Sequence, residues 1–306
     1  MDADQVVSPV DEVAVVGELS VGRCTQGGVT TQQEKAAAFA DLHEREQAFI
    51  IPNPWDVGTS RILEHIGFEA LATTGAGFAF SLGRRDGATD KEEMLAYVRS
   101  IAGATELPVS ADLEEGFADD PDAVGEFILT AAGTGIVGGS IEDRGYGRGR
   151  VAAGDRYDID IAAARIRAAV DAARTLPFKF LLTARCDNYL MGHPDLDDTI
   201  RRLQAYQEAG ADCLYAPGLT TKDEIRAVVS AVDRPVNVVM GLSGEPIPLS
   251  ELEELGVRRV SLGSTLSRTA LGSFITAARE LKEHGTFGFT ADAIAYADIT
   301  AMFSRS

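Results

Sequence analysis

Eight short apolar, β-prone runs alternate with stretches of helical period along most of the chain. They span residues 48–52, 70–74, 107–111, 135–141, 178–184, 212–216, 235–240 and 259–263. Strands that alternate with helices favour a parallel sheet, and eight strand–helix units is the count of a (β/α)8 barrel. A doubly wound open sheet is the alternative. We predict an α/β fold of the TIM-barrel type, with its active site at the carboxyl ends of the strands.

The segments at the two ends of the chain fall outside this alternation. Residues 1–30 mix acids, glycine and valine without a sustained period, and we predict a flexible arm. A capped helix from about residue 31 opens a catalytic barrel domain spanning 31–286. Residues 287–306 form a C-terminal extension, with a helix predicted at 291–302. Its apolar side, which includes Ile294 and Ile299, is expected to be swapped onto another subunit of a homodimer or homotetramer, or else to pack on its own barrel.

The charge balance restricts the classes of partner. The chain has 47 Asp and Glu residues against 28 Lys and Arg residues, a formal net charge of −19. Nucleic acids and anionic membranes are bound mainly through clustered basic residues, so we expect neither as a partner. The three scattered cysteines fit a reducing compartment, and no basic secretory region or membrane-length apolar run is present. We therefore expect a cytoplasmic protein that acts on a small molecule.

Carboxylates follow two of the predicted strands. Asp112 and Glu114 end the run at 107–111, and Glu142 ends the run at 135–141. Buried carboxylates must be paired, protonated or bound to a metal. Oxygen ligands without a histidine cluster suit Mg²⁺ or Mn²⁺, so we predict a metal site with Asp112 as a direct ligand and Glu114 and Glu142 acting through water. The alternative is that these acids cap helices or pair with surface bases.

An arginine and a group of backbone N–H donors accompany these acids. Arg185 ends an otherwise buried run, so its charge needs an anionic partner. That partner is either a substrate carboxylate or an internal acid, Glu142 or Asp187. The small residues Thr74, Gly75 and Ala76 offer backbone N–H groups that suit an anion cradle. We predict that Arg185 and these three residues bind substrate.

Five motifs resemble the phosphoenolpyruvate mutase/isocitrate lyase superfamily over roughly residues 34–286. They are Gly67-Phe68 leading to Thr74-Gly75, Leu82-Gly83-Arg84-Arg85-Asp86, Ala111-Asp112-Leu113-Glu114, Ile141-Glu142-Asp143 and Ala184-Arg185-Cys186-Asp187. The resemblance implies an α/β barrel with Mg²⁺ near Asp112, Glu114 and Glu142. It also implies a 2-oxo acid or enolpyruvate ligand on Arg185 and the residues 74–76, Asp86 as a catalytic residue near the reacting end, and oligomers that swap a C-terminal helix.

Departures from the superfamily pattern lie in the loop at 144–154. Isocitrate and methylisocitrate lyases of this superfamily carry a cysteine that acts as an acid–base in this lid, and mutases carry a lysine and an asparagine. The loop here contains none of these residues and no histidine. We expect a Mg²⁺-dependent lyase or decarboxylase that cleaves a C–C bond of a small 2-oxo or 2-hydroxy dicarboxylate through a pyruvate enolate. The alternatives are a P–C bond enzyme, for which Arg148 and Arg150 could serve a phosphoryl group, and a non-catalytic ligand-binding relative.

Overall fold

The eight predicted strands are present and form one parallel sheet. A computed structural model describes residues 30–148 and 151–304, so residues 1–29 of the predicted arm lie outside the described residues. The strand order is β1-β8-β7-β6-β5-β4-β3-β2. The backbone N–H of Ala72 donates to the carbonyl of Pro52 at 3.0 Å, which brings the two sheet ends together. The (β/α)8 prediction is confirmed, and the open-sheet alternative is wrong. The strands are β1 (Phe49–Ile51), β2 (Leu71–Ala72), β3 (Val109–Asp112), β4 (Gly138–Glu142), β5 (Leu181–Arg185), β6 (Cys213–Tyr215), β7 (Val236–Val239) and β8 (Arg259–Ser261).

Helices connect the strands as the periodicity predicted. Several begin with reciprocal capping pairs, such as Thr31 with Glu34 and Asp90 with Glu93, which satisfy backbone donors that a first helical turn leaves unpaired. Within the described residues no helix combines the length and apolarity needed to cross a membrane. The helices are α1 (Gln32–Glu44), α2 (Val57–Ile66), α3 (Gly75–Ser81), α4 (Lys91–Ala102), α5 (Pro121–Ala132), α6 (Ile159–Ala173), α7 (Leu196–Glu208), α8 (Lys222–Ser230), α9 (Leu249–Glu254), α10 (Thr265–His284) and α11 (Tyr296–Met302).

The first helix closes the amino-terminal end of the barrel. Phe39 and Leu42 of α1 join a buried cluster with residues at the starts of strands, among them Phe49 and Leu181. A Cβ added at Gly138 would lie 2.9 Å from the ring of Phe39, so this position needs glycine for the plug to fit. With one end closed, solvent reaches the barrel interior from the carboxyl ends of the strands.

A polar layer lies inside the barrel above this plug. The guanidinium of Arg259 donates to Asn237 at 2.9 Å and to Thr183 at 3.0 Å, and lies 3.2 Å from Nε2 of His43. Burial and the positive charge of Arg259 lower the pKa of His43 to about 3. The imidazole is therefore neutral at physiological pH and accepts from Arg259 without adding a second buried charge.

The structure adds a helix that the sequence did not predict, directly after β2. The small residues 75–77 start α3, with Thr74 as its N-cap accepting a hydrogen bond from the Gly77 N–H at 3.2 Å. The helix has only seven residues and three of them are Gly or Ser, so its helical period was too short and its propensity too weak to be recognised.

The C-terminal region also differs from the prediction. The helix expected at 291–302 is a 3-10 turn, Gly288–Asp292, followed by the short helix α11, so Ile294 precedes the helix that carries Ile299. α11 contacts α2 of the same chain. The protruding element is instead α10, in which Ser267 is the one buried residue.

One side of α10 is apolar and exposed in the single chain. Leu271, Phe274, Ile275 and Leu281 are 39%, 69%, 46% and 42% exposed, and spacings of three, one and six residues bring them to one helix face. An exposed apolar face of this kind is typical of an interface between subunits. Exchange of the C-terminal region between subunits remains a prediction. Because α10 carries the exposed apolar face, we expect α10 rather than α11 to form the centre of such an interface.

We predict that replacing Phe274 and Ile275 together by serine lowers the oligomer order, because it removes the two central apolar side chains of the α10 face. Light scattering of the purified variant should give a lower mass than that of the unmodified protein. Ile161→Ser, at an exposed isoleucine of α6 (46% exposed), is the matched control and should leave the mass unchanged. An unchanged mass in the double variant would show that α10 holds no subunit interface.

Candidate active site

Three charged residues end three neighbouring strands. β3 ends at Asp112, β4 at Glu142 and β5 at Arg185. In the parallel ladders Asp112 is opposite Ser140, and Glu142 is opposite Arg185. A polar cavity of about 70 Å³ opens between these strand ends, and Asp112 and Arg185 line it together with Thr74. The structure thus brings the predicted acids and the predicted arginine to one place.

The carboxylates of Asp112 and Glu114 both lie close to Gly75, at the start of α3. A Cβ placed on Gly75 would lie 3.4 Å from Oε1 of Glu114 and 3.5 Å from Oδ2 of Asp112. Oδ2 accepts the Gly75 N–H at 3.2 Å. Oδ1 of Asp112 and Oε1 of Glu114 are buried without a hydrogen-bond partner in the described part of the chain. Unsatisfied buried carboxylate oxygens are unfavourable, so this pair is prepared for an added cation or donor.

Glu114 is held in a conformation that is uncommon for its residue type. Its φ is +49°, in the left-handed region, where a side chain costs roughly 1–2 kcal/mol. The carbonyl of Glu114 accepts the Glu142 N–H at 3.0 Å, which anchors the strained residue to β4. The turn directs the Glu114 side chain back toward Asp112. Burial raises the pKa of Glu114 to about 7, with Arg148 opposing the shift.

Arg185 is paired internally, as the alternative interpretation of the sequence allowed. Its Nε lies 2.5 Å from Asp187 Oδ1, and its NH1 lies 2.8 Å from Glu142 Oε2 and 3.9 Å from Asp112 Oδ1. Despite burial, these acids raise the pKa of Arg185 further above its ordinary value. The guanidinium still lines the cavity. A substrate carboxylate would meet it there, and this binding role stays a prediction.

Glu142 is almost fully enclosed. Its Oε1 accepts the hydroxyl of Tyr146 at 2.7 Å, and its other oxygen accepts Arg185. Burial raises the pKa of Glu142 well above its ordinary value, while Arg185 lowers it. The phenol of Tyr146 also lies close enough to Glu142 that burial and this negative charge raise the pKa of the phenol. Tyr146 therefore stays protonated and donates to Glu142.

The lid segment, residues 144–148, lies over the same acids. Arg148 forms ion pairs with Glu114 and, at 2.9 Å, with Glu115. The P–C alternative assigned Arg148 and Arg150 to a phosphoryl group; Arg148 instead contacts carboxylates, and Arg150 lies outside the described residues. Sequence reasoning overlooked Tyr146 and Glu115. The available signals were an aromatic residue within a glycine-rich loop and, at Glu115, a second acid directly after Glu114.

The remaining predicted site residues are Asp86 and the backbone of residues 74–76. Asp86 follows α3 in an exposed loop, yet nearby protein atoms desolvate its carboxyl group, and together with Asp112 they raise its pKa. Two of the amides expected to be open are occupied: the Thr74 N–H donates to the Tyr97 hydroxyl at 3.3 Å, and the Gly75 N–H donates to Asp112. The cradle formed by residues 74–76 is thus already partly filled by the protein itself.

The available oxygen ligands suit Mg²⁺ better than they suit a metal ion whose ligands are all protein side chains. Across residues 30–148 and 151–304, no three His, Cys, Asp or Glu side chains converge closely enough to enclose an ion. Mg²⁺ keeps several waters and takes one or two carboxylates. The two partnerless oxygens of Asp112 and Glu114 match that requirement.

Comparison with known proteins agrees with the motifs and the barrel. The sequence model described as phosphoenolpyruvate phosphomutase matches residues 39–282. The chain belongs to this family, within the phosphoenolpyruvate mutase/isocitrate lyase superfamily. This places the strand-end acids, Arg185 and the lid in a family of lyases and mutases.

Three relatives illustrate the range of this family. A solved structure from Burkholderia cenocepacia J2315, provisionally named a lyase/mutase, is 56% identical with a TM-score of 0.86, covering 90% of this chain and 97% of its own. Uncharacterized protein Rv1998c of Mycobacterium tuberculosis is 32% identical over 250 residues, 80% of this chain and 89% of its own. Probable 2-methylisocitrate lyase 1 of Corynebacterium glutamicum is 30% identical over 262 residues, 80% and 84% of the two chains.

We predict that Arg185→Lys raises KM for the substrate by roughly 10- to 100-fold, because an ammonium group does not reproduce the planar, multidentate contacts of a guanidinium. Steady-state kinetics measures the change, and circular dichroism should show an intact fold. If KM is unchanged, Arg185 serves only the internal ion pairs with Glu142 and Asp187.

We predict that Mg²⁺ binds about tenfold more tightly at pH 8 than at pH 6. A pKa of about 7 leaves Glu114 mostly protonated at pH 6 and mostly ionised at pH 8, and metal binding requires the ionised form. Titration calorimetry in two buffers of different ionisation enthalpy also reports the released proton. Glu114→Gln should flatten this dependence, and equal affinity of the unmodified protein at both pH values would remove Glu114 from the metal site.

Proposed function

We propose that this protein is a Mg²⁺-dependent lyase or decarboxylase that cleaves a C–C bond of a small 2-oxo or 2-hydroxy dicarboxylate through an enolate. An oxaloacetate-like 2-oxo dicarboxylate would lose CO₂ and leave a pyruvate enolate. A 2-hydroxy dicarboxylate would give up its hydroxyl proton, release a 2-oxo acid and leave the enolate of the other carboxylate. The observation that carries the proposal is the pair of buried oxygens without a hydrogen-bond partner among the described residues, Asp112 Oδ1 and Glu114 Oε1, the first of which lies 3.9 Å from NH1 of Arg185. A cation site beside a buried arginine suits a substrate that carries both a carboxylate and a polarisable oxygen. The family includes lyases of small carboxylates and phosphonomutases, which supports this substrate class.

Mg²⁺ and Arg185 would bind different parts of the substrate. Asp112 would hold Mg²⁺ directly, with Glu114 and Glu142 acting through water. When bound, Mg²⁺ supplies electrostatic stabilisation of the negative charge that develops on the substrate oxygen, which can contribute about 3 kcal/mol to the transition state. Arg185 would orient the carboxylate next to that oxygen. The cation also offsets the repulsion between an anionic substrate and the surrounding acids.

The lid would exclude water from the site, and residues at the mouth of the cavity would orient water for proton transfer. Tyr146 holds Glu142 in place with its hydroxyl group, 2.7 Å away. Asp86 would orient water or the leaving group at the mouth of the cavity. With no cysteine or histidine at 144–154, the proton that reaches the enolate comes from water or from another residue. A decarboxylation needs only that one protonation step, which fits a lid without a dedicated acid–base pair.

A substrate panel tests the assignment. The purified protein with Mg²⁺ is incubated with oxaloacetate, alkylmalates, isocitrates and phosphonopyruvate, and release of pyruvate and of phosphate is measured. We expect pyruvate release from a dicarboxylate without phosphate. Phosphate release from phosphonopyruvate would assign the P–C alternative, and loss of Mg²⁺ binding without any turnover would favour a ligand-binding relative.

We predict that Asp112→Ala abolishes metal-dependent turnover, a loss of at least about 100-fold, while the fold is retained. Asp112 is an end-of-strand residue with one oxygen lacking a partner, so its side chain contributes little to packing. Thermal unfolding followed by circular dichroism checks the fold, and calorimetry checks Mg²⁺ binding. Asp171→Ala, at an exposed aspartate of α6 that pairs with Arg174 at 3.6 Å, is the control. Full activity of Asp112→Ala would remove the metal assignment.

A further inference from the structure

Arg148 joins three separate segments around the site. Besides its ion pairs with Glu114 and Glu115, its NH2 donates to the carbonyls of Gly87 at 3.1 Å and Thr89 at 3.0 Å. The first two residues follow β3, whereas the last two belong to the loop that carries Asp86. A single lid side chain therefore contacts both the segment after β3 and the loop that carries Asp86.

Aromatic rings fix the direction of this guanidinium. It lies 4.4 Å from the centre of the Phe117 ring and 4.9 Å from that of Tyr146, distances at which a cation is attracted to a ring face. The Tyr146 ring in turn lies against Gly87, where an added Cβ would come within 2.7 Å of it. Arg148 and Tyr146 thus hold one another above the acids.

Glu115 has no evident task in the proposed chemistry. Its residue is only 3% exposed, and its carboxylate pairs with Arg148 at 2.9 Å. A buried acid needs a cation or a proton. Because Glu115 sits beside Glu114, the same guanidinium serves an acid of the metal site and an acid outside it.

We propose that Arg148 is a positioning residue that fastens the lid over the site through Glu115 and competes with Mg²⁺ for Glu114. The competition rests on the proposed function, since it requires a cation at Asp112 and Glu114. The fastening does not, because it follows from contacts within the chain. Arg148 pairs with Oε2 of Glu114, so a cation at Oε1, which accepts no hydrogen bond from a described residue, would share that carboxylate with the guanidinium. The pair with Glu115 would keep the lid in place whether or not the cation is bound.

Two measurements on the full-length, metal-free protein test both parts. Titration with MgCl₂ alone, followed by calorimetry, gives the Mg²⁺ affinity, and hydrogen exchange followed by mass spectrometry gives the protection of lid amides such as Gly145 N–H, which donates to Asp155 at 2.8 Å. In Arg148→Met, titrated at pH 9 so that loss of the guanidinium does not leave Glu114 protonated, we expect about tenfold tighter Mg²⁺ binding, because Glu114 loses a competing positive charge. Lid exchange should be at least about tenfold faster, and kcat should fall.

Matched variants separate the two effects. Glu115→Gln keeps the pair between Arg148 and Glu114, so lid exchange should be faster while Mg²⁺ affinity stays within about twofold of the unmodified protein. Arg45→Met removes an arginine paired with Glu69 at 2.7 Å, at the end of α1, and should change neither quantity.

Unchanged or weaker Mg²⁺ binding in Arg148→Met, with the unmodified protein binding normally, would overturn the competition. Unchanged lid exchange in both Arg148→Met and Glu115→Gln would overturn the fastening. If the unmodified protein binds no Mg²⁺, the proposed function fails together with the competition, and the exchange measurement still decides whether Arg148 fastens the lid.

Discussion

The dominant constraint on this site is the concentration of buried negative charge at the carboxyl ends of β3, β4 and β5. Asp112, Glu114, Glu142 and Asp187 lie around one opening, and within the described residues their direct cationic partners are Arg148 and Arg185. Each arginine is shared between at least two carboxylates. Charges removed from water are tolerated only when pairing is nearly complete. Asp112 Oδ1 and Glu114 Oε1, which accept no hydrogen bond in the described part of the chain, therefore mark where the charge balance is still open, and a divalent cation would close it.

The barrel creates this concentration and also contains it. Parallel strands deliver their last residues to one end, so the carboxylates of separate chain segments converge without any local sequence signal linking them. α1 closes the opposite end, and the neutral imidazole of His43 avoids a second buried cation beside Arg259. The interior is thereby divided into a closed, charge-balanced base and an open, acid-rich mouth, and ligands are directed to the mouth.

The parts of this arrangement that follow from strong periodicity were predictable from sequence. The eight strands and the positions of Asp112, Glu142 and Arg185 at their ends depend on runs of apolar residues and on where those runs stop. α3 was not predictable, because its seven residues include glycine and serine and its formation depends on Thr74 as a cap. Nor were the contacts of Tyr146 and Arg148, since a glycine-rich loop has no period and its position is determined by the acids and rings it meets. The exposure of α10 was also missed, because an apolar helix face predicts burial without naming the surface that buries it.

The lid offers the clearest physical distinction between C–C and P–C chemistry. A phosphoryl group would need a free guanidinium at the mouth, and two arginines of the described lid segment lie near it. Arg148 is held by carboxylates and carbonyls, whereas Arg144 lies over the Tyr146 ring with its Nε buried and without a hydrogen bond to any described residue. Moving Arg148 to a phosphoryl group would remove the ion pair of Glu115, which is almost fully buried and would keep only the more indirect influence of Arg165. Breaking a buried pair costs roughly 3–5 kcal/mol. Mg²⁺ at Asp112 could replace Arg148 as the cation beside Glu114. It would not do so for Glu115, which is not one of the residues that would hold the metal. A dicarboxylate bound at Arg185, which lines the cavity, would leave the pairs of Arg148 intact, whereas a phosphoryl group would do so only if Arg144 received it.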